Sequence, residues 1–160
     1  MKVTNRSAGD VGYSLPELGV RRSFNRGDWK EISQEEIFAL SQAKGGLSLI
    51  KNYLLLDDKE YVKKEIWHDA PIEYFWGLED VKKCVLEDSK DLFAETLDYA
   101  PEGVVDLIKE YAWRLPMTDL NKIQILKEKT GFDAQMAQKV MAQPKKDNAE
   151  KPKGARLRRE

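Results

Sequence analysis

The sequence is short of the residues that carry most enzyme and metal chemistry, with one cysteine, Cys84, and one histidine, His68, among 160 residues. A lone cysteine excludes an internal disulfide and suits a reducing compartment. One thiol and one imidazole leave a structural zinc site short of its ligands. No uninterrupted apolar run approaches the ~20 residues that span a bilayer. The opening MKVTNRSAGD also lacks the apolar segment of a secretory signal. The expectation is a protein without a membrane partner, working in the cytosol or assembled there. Glycine is sparse too, and Gly9, Gly12 and Gly45-Gly46 have neither the spacing nor the lysine of a phosphate-cradling loop, so no cofactor is expected.

What is present is enough apolar material for a core, 41% of the chain, inside a highly charged surface, 34%. That suits one domain with a small appendage and excludes two large domains. The formal net charge of −1 is unevenly placed. Residues 144–160 hold seven of the 27 Lys/Arg and three of the 28 Asp/Glu, which leaves −5 for residues 1–143. An acidic body therefore runs into a basic tail.

The grammar changes near Ser33. In residues 2–32 apolar residues alternate: Val11, Tyr13 and Leu15 share one face of an extended segment, as do Val20 and Phe24 with Arg22 between them. Asn25-Arg26-Gly27-Asp28 has the residues of a tight turn leading into Trp29–Ile32. Three or four short antiparallel strands are expected, too few to stand alone, so this head must pack on helices or on a partner.

Ser33-Gln34-Glu35-Glu36 reads as a capping box that opens a helix burying Ile37, Phe38 and Leu40. Gly45-Gly46 interrupts it before the apolar stretch Leu47 to Leu56. A short helix with Tyr61, Val62 and Ile66 is expected behind Asp57 or Asp58. His68 to Gly77 reads as an irregular link pinned by Tyr74-Phe75-Trp76. From Leu78 the helical signals are dense. Leu78, Val81 and Val85 form one stripe, and Leu92, Phe93, Thr96 and Leu97 follow Ser89. Val104, Leu107, Ile108, Tyr111 and Ala112 make the strongest stripe, begun by Pro101 and ended by Pro116. Leu120, Ile123 and Leu126 follow Thr118, with Gly131 as the left-handed cap, and Asp133 opens a last helix carrying Met136, Ala137, Val140 and Met141. The fold expected is α+β, mostly α: a small N-terminal antiparallel sheet over residues 1–32, short helices and an aromatic loop over 33–77, a compact bundle of short helices over 78–143, and a basic disordered tail over 144–160.

Candidate chemistry is thin. His68 and Cys84 are the only nucleophile and base pair available, and Cys84 falls inside a predicted helix, where a small buried hydrophobe is expected. The carboxylates cluster at helix starts and polar faces, where the dipole favours them. No catalytic residue is assigned. Arg21 and Arg22 are adjacent on a strand and so point to opposite faces; a carboxylate or phosphate contact and an ion pair are both open. Val11 and Tyr13 belong to an edge strand within residues 2–15 that a partner strand or a second copy could extend, and with the pair Arg21 and Arg22 they form the candidate protein-interaction site. Lys145, Lys146, Lys151, Lys153, Arg156, Arg158 and Arg159 could contact the phosphates of a nucleic acid, or form a solvated terminus. Leu120 to Met141, joined through Thr130-Gly131-Phe132-Asp133, has the look of a helix-turn-helix with Lys122, Gln124, Lys127, Lys129 and Gln135 outward, although packing helices are the reading preferred.

The opening VTNRSAGDVGYSLPELGVRRSFNRGDWKEIS and the block DYAPEGVVDLIKEYAWRLPMTDLNKIQILKEKTGFD resemble small proteins encoded among the structural genes of tailed bacteriophages. The resemblance spans roughly residues 2–142. It implies a non-enzymatic virion structural or assembly role through protein–protein contact, in the virion or the host cytoplasm, and it carries no active site. The alternative expectation is a nucleic-acid-binding regulator using residues 120–141 and the tail.

Overall fold

In the computed structural model, which describes residues 1–115 and 117–142, the chain is α+β and mostly α, with its strands concentrated near the N-terminus. The alternating head forms β1 (Lys2–Asn5), β2 (Val11–Leu15), β3 (Val20–Phe24) and β4 (Trp29–Glu31). The strands do not pair in the order the chain suggests. β2 and β3 make a separate antiparallel ribbon, joined by the short 3-10 turn Pro16–Leu18. β4 skips back to β1, whose other side takes β5 (Leu54–Leu56) from far along the chain, giving the order β4-β1-β5.

Two expectations change here. Asn25–Asp28 does turn, with Gly27 at φ 81°, but it is a corner between two sheets and closes no hairpin. The Asn5 side chain holds that corner, donating to the carbonyls of Gly9, Phe24 and Asn25 at 2.7, 3.2 and 3.2 Å. The stretch Leu47 to Leu56 divides into α2 (Gly46–Asn52) and β5, because Leu54 and Leu56 point to one face of the sheet and are fully buried there. The outer edge of β5 is closed by a side chain: the Tyr74 hydroxyl donates to Leu54 O at 2.7 Å and lies 3.4 Å from the Leu56 amide. It occupies the place of a further strand.

The helices begin largely where their caps stand. The Ser33 hydroxyl accepts from the Glu36 amide at 3.1 Å and opens α1 (Gln34–Gln42). Asp58 accepts from the Tyr61 amide and starts α3 (Lys59–Tyr61), which runs on into a π-helical turn, Val62–Ile66. Tyr74 and Phe75 lie in a 3-10 turn, Ile72–Phe75, rather than an irregular loop. Then follow α4 (Leu78–Leu86), α5 (Lys90–Tyr99), α6 (Glu102–Arg114), α7 (Leu120–Thr130) and α8 (Ala134–Ala142). Asp119, not Thr118, caps α7, and Gly131 ends it at φ 79°.

Two apolar clusters result. One gathers Val3, Leu15, Phe24, Ile37, Ile50 and Tyr74, so the head shares its core with the segment up to Phe75. The other gathers Val85, Phe93, Leu107, Ile108, Leu126 and Ala134 from the five helices that follow. Phe38, Leu92, Met136 and Val140, expected in these stripes, are each more than half exposed, since each lies at the margin of a stripe whose centre is already filled by its neighbours.

Charged side chains cross between the halves. Buried Arg6 donates to the carbonyls of Tyr74 and Trp76, on the link that joins the two clusters. Arg26, in the corner after β3, pairs with Glu110 of α6. Close backbone contact does the rest: at Gly103, in the first turn of α6, any Cβ would collide with the carbonyl oxygen of Asn52 at the end of α2. Only glycine lets these helix ends meet, and that contact sets Tyr53 and Asp106 beside each other.

Candidate interaction surface

The β2–β3 ribbon carries the residues singled out from sequence. Register pairs Val11 with Phe24, Tyr13 with Arg22 and Leu15 with Val20, so all six side chains share the inner face. Gly12, Ser14, Arg21 and Ser23 form the exposed outer face, which is a shallow hollow of small and polar side chains. Arg21 is thus exposed on the outside while Arg22 turns inward.

Arg22 is an intramolecular partner. Its guanidinium grips the Glu36 carboxylate with both arms, at 2.8 and 2.7 Å, and the Tyr13 hydroxyl donates to the same carboxylate at 2.5 Å. Glu36 therefore does not reach back to the Ser33 amide, and only half of the expected capping box forms. A two-armed, charge-assisted contact outcompetes one neutral amide. The Arg22 hydrogen bonds hold the Glu36 carboxyl below the usual carboxylate range against the opposing effect of burial, while burial and that carboxylate raise Tyr13.

The sign of the pH effect follows. Because the folded Glu36 pKa lies below its unfolded value near 4.5, its contribution is fully present above that value and is lost as pH falls through the folded pKa. A Glu36→Gln variant should be less stable than the parent at neutral pH by about 1–2 kcal/mol, a charged hydrogen-bond value discounted because a third of the Arg22 side chain is in water. The deficit should narrow below pH 4.5. Urea unfolding at pH 7 and at pH 3 measures it; an unchanged gap would place the latch elsewhere.

The strand edges sort themselves. β1 lies between two neighbours, so it offers no edge, which corrects the expectation for residues 2–5. β2 pairs only with β3, and no other backbone group among the described residues bonds to its far side. That side borders a groove. One end, about 300 Å³, lies between Gly12–Ser14 and the corner from α1 to α2, lined there by Leu40, Lys44 and Leu49. The other, about 360 Å³, lies between residues 7–12 and Leu49, Tyr53 and Asp106. Gly12 and Leu49 belong to both ends, so the two form one trough along the strand. Tyr53 donates to Glu102 at 2.8 Å, and burial holds the Asp106 carboxyl above the usual range. Sequence reading missed this trough. Its only local signal is the run of small residues Ser7-Ala8-Gly9-Asp10 before β2, which leaves the backbone open to approach.

The other candidates separate. His68 is at the surface, 3.9 Å from an equally exposed Asp69. Cys84 is buried in the helical cluster, and burial pushes its thiol up to about 12. The two form no pair. Lys122, expected outward on a recognition helix, is instead 2% exposed, and its ammonium donates to the carbonyls of Cys84 and Val85 at the end of α4, at 2.9 and 2.7 Å. Lys122 follows Ile123 inward because those unpaired helix-end carbonyls attract a cation. Lys127 and Lys129 pair with Asp133 and Asp98, and Gln124 with Glu128, while Gln135 stays exposed. Lys145, Lys146, Lys151, Lys153, Arg156, Arg158 and Arg159 lie outside the described residues. Among the described residues no helix is long and apolar enough to cross a membrane. Comparison with protein-family models, curated proteins and solved structures finds no match for this chain.

Proposed function

We propose that the protein is a non-enzymatic structural or assembly component, of the kind the phage resemblance implies, working through protein–protein contact at the β2–β3 ribbon. The observation that carries this reading is the ribbon itself. It is pinned at its inner face by Leu15, Phe24 and the Arg22–Glu36 contact, yet among the described residues its outer face and the far side of β2 meet no other strand. A rigidly held strand with open main-chain groups is a template for a further strand, from a different protein or from a second copy. The face carries Arg21 at its surface, with Val11 and Tyr13 directed inward, where the Tyr13 hydroxyl donates to Glu36.

A photo-crosslinking amino acid placed at Arg21 tests this in the cell that produces the protein. The expected result is a discrete covalent adduct, either with one partner protein or with a second copy. The same probe at Glu128, exposed on α7, should give none. Equal, diffuse labelling at both positions would overturn the reading.

A further inference from the structure

The trough beside β2 has a shape and a charge that specify its occupant more closely than the ribbon alone. Residues 9–14 line it as six consecutive positions, of which Val11–Ser14 are strand, about 13 Å of extended chain. Its far wall is apolar at the partly buried Ala43 and Leu49, and its floor lacks side chains at Gly9 and Gly12. One end is negative. Asp10 and Asp106 line it, and Glu102 stands one turn before Asp106; Lys109, on the same helix, is 3.9 Å from Asp106, and Lys44 lines the opposite end. A polyanion would be repelled there, and an unpaired strand edge demands a partner with main-chain donors and acceptors of its own.

Resting on the proposed contact role, we infer that this trough takes an extended polypeptide segment that adds to β2 as a third strand and sets a Lys or Arg side chain against Asp10 and Asp106. The segment's main chain satisfies the far side of β2. Its alternate side chains meet Ala43 and Leu49, and the cation selects the register, because a slip by one residue would turn it to the opposite face.

The probe is a display library of random nonapeptides presented to the full chain. The expected selection has Lys or Arg at one fixed position amid β-branched residues. Replacing that cation by norleucine in a synthetic copy of the selected peptide should weaken binding at least about tenfold, and so should the double change Asp10→Asn, Asp106→Asn. Hydrogen exchange should show new protection at Val11–Leu15 in the complex. Gly9→Trp should abolish binding, since a Cβ at Gly9 meets no atom within 4 Å and Gly9 lines the trough, so a bulky side chain there takes up the space of the segment. The peptide substitution needs no altered protein, so a poorly folded variant does not obscure the result. Selection without a cationic position, tight binding of the norleucine peptide, or protection elsewhere than β2 overturns this inference. An Arg21 adduct obtained alongside such a result would leave the contact role standing; loss of both would remove the two together.

Discussion

Replacing Ile108 by aspartate should leave no folded population at room temperature. Ile108 is fully buried at the centre of α6, in the cluster with Leu107, Phe93 and Leu126. The substitution removes packing worth about 2–5 kcal/mol and puts in its place a carboxylate among apolar side chains. Desolvating that charge costs several kcal/mol more, so the sum approaches the whole stability of a domain, about 5–15 kcal/mol. Far-UV circular dichroism and urea titration measure it. Ile108→Val, which deletes one methylene, should cost only about 0.5–1.5 kcal/mol and retain a cooperative transition. An Ile108→Asp protein that melts like the parent would show that this stripe is a surface.

Arg6→Ala should be the second most damaging change, although arginine is rarely a core residue. Arg6 is 1% exposed and its guanidinium stacks 5.2 Å from the centre of the Tyr74 ring. Its Nη1 donates to Tyr74 O at 2.6 Å and Trp76 O at 3.1 Å, and lies 3.4 Å from Glu73 O, which also receives the Trp76 amide. Removing the side chain strands the first two carbonyls and opens a void. Each unpaired buried acceptor costs about 1–3 kcal/mol. Against this stands a saving: Nε and Nη2 meet no acceptor among the described residues, and burial has already pushed the guanidinium down to about 10, so the cation itself is imperfectly compensated. The net expectation is a loss of about 3–5 kcal/mol, larger than for Arg6→Met, which keeps the apolar stem and fills most of the space. Urea unfolding of the two variants compares them. Equal stability of Arg6→Ala and the parent would mean that the two carbonyls find water instead.

These two sites differ in how far sequence could reach them. Ile108 sits in a periodic stripe, and periodicity is a property of the chain alone. The same holds for the alternation of β2 and β3, the caps at Ser33, Asp58, Ser89 and Asp133, and the left-handed glycine at 131. Each is a local event among residues a few positions apart, and the residue types present leave few alternatives. Arg6 gave no such signal. A single arginine after a strand reads as surface, and its burial depends on carbonyls about seventy residues away.

The candidate site divides along the same line. That Arg21 and Arg22 point to opposite faces follows from the pleat, and the structure agrees. Which carboxylate Arg22 would take did not follow. Glu36 was expected to complete its own capping box, and only the docking of the ribbon against α1 brings the stronger partner within reach. Lys122 shows the converse. At its position on the helix a lysine looks solvated, yet the carbonyl ends of α4 draw it inside.

By itself, then, the sequence determined the α+β class, the alternating strands of the head and most of the helices with their caps, because hydrogen bonding and apolar periodicity within a short segment are nearly independent of the rest of the molecule; β5 and the 3-10 turn Ile72–Phe75 it did not determine. Tertiary structure alone decided which strands are neighbours, with β5 closing one side of β1 and leaving β2 open on its far side, and it alone brought Asp106 to the trough beside Asp10. Those outcomes rest on contacts between residues tens of positions apart. Their energies belong to the packed arrangement of the whole and to no segment taken singly.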